Sequence, residues 1–209
     1  MLFRSVPSMI YKARRNLQGF PNIEYLVGEV YDIAGFVLQG KKFDRIVFHF
    51  SFNYMFPRAR RFDSDLLEFW KRHLEKQGEM VIAVHNSFVK CQMPEEWREW
   101  EDPFRKEIES QIKATGALCQ PPVEKWEVSE INEMFSKGGF RQVDSSEVQI
   151  NRCMEDRYKM WQVPSVNAAL FPPDMSFAER DNILKSAYMK CCNQKTAPTI
   201  VKYLRYTVI

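Results

Sequence analysis

Residues 43–50 read FDRIVFHF, and residues 66–84 read LLEFWKRHLEKQGEMVIAV. The first run has an apolar, β-branched centre, the pattern of a strand buried on both faces as parallel sheets require. In the second, Leu66, Leu67, Trp70, His73 and Leu74 recur on one helical stripe; Asp63 and Ser64 precede it as caps and Gly78 follows as a stop. MVIAV at residues 80–84 is then a second short apolar strand. Strand, one-sided helix, glycine and strand form a βαβ unit with a right-handed crossover, and so predict a doubly wound α/β sheet.

Upstream, residues 7–17 predict a helix with Pro7 in its first turn and Met9, Ile10, Ala13 and Leu17 on one face, closed by Gly19. Residues 22–28 (NIEYLVG) alternate as a short strand, and a loop runs through Gly35 and Gly40. Downstream, residues 93–115 carry Trp97, Trp100, Phe104, Ile108 and Ile112 at helical spacings, which predicts an amphipathic helical insertion broken at Pro103. Residues 128–136 form a helix capped by Ser129, and Gly138-Gly139 close it ahead of a strand over residues 142–150. A helix over residues 176–189 turns Phe177, Ile183, Leu184 and Ala187 inward, and residues 199–209 make a long final strand. The two late strands pair as an antiparallel hairpin at the sheet edge.

The 209 residues suit a single domain, and 45% hydrophobic with 27% charged residues is ordinary for a globular chain. Thirty Lys plus Arg against 27 Asp plus Glu give a net charge of +3 with the signs interspersed. No basic arm marks a nucleic-acid surface. The five cysteines are odd in number and lack zinc spacing, so reduced thiols in the cytoplasm are expected. The start has no leader pattern, and no stretch approaches the roughly 18 apolar residues of a membrane span.

Four stretches, in order, resemble a class I methyltransferase of the small-molecule type. Residues 6–16 (VPSMIYKARRN) resemble the "S-P-x-M-(I/L)-x-x-A-(R/K)" start of the helix after that family's second strand. Residues 21–33 (PNIEYLVGEVYDI) resemble its third strand and "G-D-A" turn; residues 42–55 (KFDRIVFHFSFNYM) resemble its fourth strand. Residues 66–84 resemble its "L-K-P-G-G" helix and strand, with Gln77-Gly78-Glu79 in place of Pro-Gly-Gly. The resemblance implies a Rossmann-like sheet with helices on both faces, incomplete at its N-terminal strands, and an antiparallel C-terminal strand pair. It implies S-adenosylmethionine as cofactor and a small-molecule methyl acceptor, with residues 93–115 and 158–175 as lid segments of one domain over residues 1–209.

It also implies cofactor-binding positions. Glu29 stands where the family's acid faces the adenine amine, with Val30 and Tyr31 beside it, and Phe48, His49 and Phe50 stand along the methionine portion. His49 is a candidate general base; the plain alternative is a wall histidine, as Glu29 is otherwise a solvated turn residue. Phe52, Tyr54 and Phe56 are candidate walls for the sulfonium, through their ring faces, or simply core.

The family's "D-x-G-x-G-x-G" loop is absent from the sequence, and Arg4 stands where its ribose-binding acid belongs. Arginine has no acceptor for two ribose hydroxyls. A truncated methyltransferase of poor activity is therefore expected, and the alternative is an inactive methyltransferase-like shell that docks a protein partner.

Overall fold

The computed structural model describes residues 2–4, 7–27, 40–49, 64–97, 101–120, 124–163 and 170–209. Among the described residues the strands form two sheets. β1 (Leu2–Arg4) and β2 (Tyr25–Val27) are parallel and joined by α1 (Pro7–Asn16), whose Ile10 is buried. The larger sheet runs β3-β4-β6-β5, from β3 (Phe43–His49), β4 (Leu74–His85), β5 (Phe140–Ile150) and β6 (Thr199–Val208). β3 and β4 are parallel, and the other two pairings are antiparallel. The expected late pair therefore exists, but β6 enters between β4 and β5. That inner position buries Val201, Leu204 and Tyr206 and leaves β5 at the edge.

Two helices cover one face. α2 (Ser64–Arg72) contributes Leu66, Leu67 and Trp70, and α4 (Val128–Lys137) contributes Ile131, Met134 and Phe135. They pack on Phe48 of β3, on Met80, Ile82 and Val84 of β4, and on Leu204 and Tyr206 of β6. The reverse face carries a charge ladder across all four strands. Arg45 meets Glu79 at 2.6 Å, Glu79 meets Arg205 at 3.1 Å, and Arg205 meets Asp144 at 3.4 Å. Such half-exposed pairs each contribute at most about 1 kcal/mol, so the helix-covered core carries the stability.

Several boundaries differ from the sequence reading. α2 ends at Arg72, not at Gly78, because His73 turns the chain: its N–H donates to Trp70 O at 3.1 Å and its carbonyl accepts from Phe43 N at 2.8 Å. Leu74 thus already pairs with Phe43, and the ladder resumes at Glu79 after an irregular step. Gly78 lies in that step, where a Cβ would sit 3.0 Å from the Phe43 carbonyl, so it is a close-approach glycine and not a helix stop. Gly139 is the true left-handed residue after α4, at φ +80°. α4 starts at Val128, capped by Glu127, whose N–H donates to the Glu130 carboxylate at 2.7 Å; Ser129 lies inside the helix.

A second core forms from α3 (Pro103–Ala114), α5 (Met154–Trp161) and α6 (Phe177–Cys191). Pro103 does not break the insertion. It starts α3, at the one place where a missing N–H costs nothing, with Asp102 accepting from Phe104 N at 3.1 Å and Arg105 N at 3.4 Å. Phe104, Ile108 and Ile112 then face Ile183, Leu184, Ala187 and Cys191 of α6. Phe177, expected inward, is 64% exposed because the first turn of α6 projects past this core. α5, to which the sequence reading assigned no element, overlaps the expected lid segment 158–175 and adds Met154 and a Tyr158 ring stacked 4.6 Å from Tyr188.

Candidate functional site

β3 and β4 are parallel, β5 runs in the same direction by two antiparallel steps, and β6 begins where they end. One end of the sheet therefore gathers His49, His85 and Ile150 with Thr199. The chain reaches α3 from the end of β4, and passes from β5 through α5 and α6 into β6, so the second core is entered and left at that end. Open α/β sheets bind ligands beyond the carboxyl ends of their strands.

Of the residues implied by the resemblance, Glu29, Val30, Tyr31 and Phe50 lie outside the described residues, as do Phe52, Tyr54 and Phe56. Phe48 faces the helix-covered core, its ring 5.3 Å from Trp70 in an edge-to-face contact. His49 is exposed at the end of β3, on the opposite face, beside Ala83 of β4.

His85 is the last residue of β4 and half-buried at the same end. Its ring lies 5.2 Å from Phe88, and Ser87 N donates to Nδ1 at 3.1 Å, which leaves the proton of the neutral ring on Nε2. Burial first, then the positive charges of Arg152 and Lys125, pull its pKa from 6.5 to about 4. Lys90 pairs with Glu127, and Lys202 with Glu147 at 2.6 Å. The Cys91 thiol, acted on by the Lys202–Glu147 pair, is held above its ordinary pKa, chiefly by burial. The signal available in the sequence was position: a histidine ending an apolar parallel strand.

His85 makes stability pH-dependent. The unfolded chain takes up the proton near pH 6.5 and the native ring only near pH 4, so between these the unfolded state binds more protons. Stability is full above 6.5 and falls as pH drops toward 4, by up to about 3 kcal/mol at ~1.4 kcal/mol per pH unit. Urea unfolding at about pH 7 and about pH 4.5 should show this loss in the wild type and a smaller one in His85→Gln. Equal losses in the two proteins would remove His85 as the cause.

No family model and no curated protein matches the sequence. Solved structures match across nearly the whole chain. A putative methyltransferase from Bacillus halodurans C-125 is 13% identical at TM-score 0.50, covering 98% of this chain and 80% of its own. A SAM-dependent methyltransferase from Geobacter sulfurreducens, crystallised with S-adenosylhomocysteine, is 13% identical at TM-score 0.50, covering 99% of this chain and 74% of its own. SpnF, a cyclase, is 10% identical at TM-score 0.51, covering 99% of this chain and 64% of its own. At these identities the likeness establishes the fold, the Rossmann-like methyltransferase fold, and leaves chemistry to the site.

Proposed function

We propose that this protein transfers a methyl group from S-adenosylmethionine to a small-molecule acceptor. The observation that carries the reading is fold agreement with the S-adenosylhomocysteine-bound Geobacter enzyme over 99% of this chain, joined to the four ordered sequence stretches. The fit to the cofactor is one-sided. The sheet end at His49 is exposed, and His49 with the backbone of Phe48 and Phe50 would hold the methionine portion. Glu29 would accept from the adenine amine, with Val30 and Tyr31 beside it. On the ribose side Arg4 offers no acceptor, so affinity there has to come from elsewhere.

When bound, S-adenosylmethionine supplies an electrophilic methyl on sulfonium. The chain's own contribution is alignment and exclusion of water, for which the helices of the second core serve as a lid over the strand ends. His49, exposed at the end of β3, would take a proton from the acceptor. Five unpaired cysteines suit a reducing cytoplasm. Among the described residues no helix is long and apolar enough to cross a membrane.

A second reading, a catalytically silent methyltransferase-like protein that docks a partner, is favoured by Arg4, which stands where the family's ribose-binding acid belongs. Calorimetry with S-adenosylhomocysteine separates the two. Methyl transfer requires saturable binding with Kd below about 1 mM, weakened by about tenfold in Glu29→Ala. No heat of binding at that concentration would leave the docking reading standing, and unchanged affinity in Glu29→Ala would take Glu29 out of the site.

A further inference from the structure

We propose that Arg152, flanked by Lys125 and His85, is an anion-recognition point at the junction of the sheet and the second core, and that it takes a carboxylate or phosphate group of a small-molecule ligand. Arg152 follows β5 directly and is half-buried. Its Nη1 lies 3.1 Å from the thioether of Met160, a weak acceptor for a guanidinium. Among the described residues it forms no ion pair, whereas the cations around it are matched: Lys90 with Glu127, Lys202 with Glu147, Arg157 with Asp102. Asp156 feels the Arg152 charge, but its Oδ2 accepts from the backbone N–H and the thiol of Cys153, both at 3.3 Å.

The Arg152 backbone is held in place, since Thr196 Oγ1 donates to its carbonyl. The half-buried guanidinium has a thioether, and no carboxylate, in hydrogen-bond contact among the described residues, and its planar fork fits a carboxylate or phosphate with two parallel hydrogen bonds. The second observation is convergence. β4 ends at His85 opposite Val201 of β6, β5 ends at Ile150 opposite Thr199, and the segment before α4 bridges back to the chain just after β4 at Val89 and Trp126, so the end of β4, the segment before α4 and the segment after β5 gather at one end of the sheet. That spot lies at the strand carboxyl ends. Identifying the anion as part of the methyl acceptor rests on the methyl-transfer reading; the anion point itself does not.

The test uses the whole chain without cofactor, with inorganic phosphate and acetate as separate probes and the His85 ring followed by NMR. Phosphate, acetate or both should shift the His85 resonances saturably with Kd on the order of 1 mM, and should raise the midpoint of its titration by offsetting the Arg152 charge. Arg152→Met should weaken this at least ~10-fold, Arg152→Lys should retain part of it, and Lys76→Met, on the exposed start of β4, should leave it unchanged. A shift that stays linear in salt, or that survives equally in Arg152→Met, overturns the proposal. Should Arg152→Met not fold, the wild type against Arg152→Lys decides, because only a bidentate contact separates those two. Phosphate binding without S-adenosylhomocysteine binding would defeat methyl transfer and leave this point intact; the reverse would defeat this point alone.

Discussion

Phe135→Ala is expected to lower stability by about 3–5 kcal/mol, out of the roughly 5–15 kcal/mol typical of a whole domain. Phe135 is fully buried. Its ring stacks on Tyr206 at 4.4 Å and 20°, and meets Phe140 edge-on at 5.8 Å. Tyr206 in turn donates to Asn132 Oδ1 at 2.7 Å, and Asn132 Nδ2 donates to Gln142 Oε1 at 2.6 Å. Burial pushes the Tyr206 phenol pKa upward, so it remains a donor at any working pH. Removing the Phe135 ring thus leaves a cavity between α4, β5 and β6 and unsupports a polar chain that fixes their register. Urea unfolding followed by circular dichroism should show the full loss for alanine and a smaller one for Phe135→Leu, which refills part of the space. A cost below about 1 kcal/mol for alanine would mean that the site collapses and that this aromatic group is not the keystone of the sheet.

The central elements were legible because their signals are local. The apolar run of residues 43–50, a 3.6 stripe in α2 and the glycine close of α4 are each written in neighbouring side chains, although β3 is covered on one face only and Val47 is 54% exposed. What sequence reading misplaced depended on contacts far along the chain. The early end of α2 is set by Phe43 bonding to His73 thirty residues on, and the inner place of β6 by pairing with both β4 and β5. Pro103 was read as a break because proline is usually one; its role as a helix start appears only when Asp102 is seen capping α3.

The site was less legible than the fold. A resemblance transfers positions, so it pointed to Glu29 through Tyr31 and Phe48 through Phe50 but was silent on the end of β4 and the segment after β5. The role of Phe48 illustrates the difference: in a buried strand, alternate residues face opposite sides, and register with Ile82 sends this ring toward Trp70 while His49 goes to the other face. His85 and Arg152 are 67 positions apart in numbering. Only strand order brings them together, and no spacing rule in the sequence encodes it.

Asp102→Ala is expected to cost about 3–5 kcal/mol, with loosening concentrated in the second core. Two functions of one carboxylate are lost together. It caps α3 through Phe104 N and Arg105 N, worth about 1 kcal/mol, and it pairs with Arg157 of α5 where the two side chains are only 13% and 18% exposed. Burial pulls the Arg157 pKa down and Asp102 opposes this, so without Asp102 a largely desolvated guanidinium loses the carboxylate that offsets its burial. Asp102→Asn separates the two contributions, since asparagine caps as well as aspartate while carrying no charge. It should therefore lose most of the stability that alanine loses. Arg157→Met in the same chain should recover much of that loss by replacing the stranded cation with an apolar side chain of similar length. The four proteins of this cycle, compared by urea unfolding, should give a coupling above about 1 kcal/mol. Additive losses would mean that α3 is held to α5 by the apolar contacts of Phe104, Ile108 and Met154 alone, and that the ion pair merely occupies the space between them.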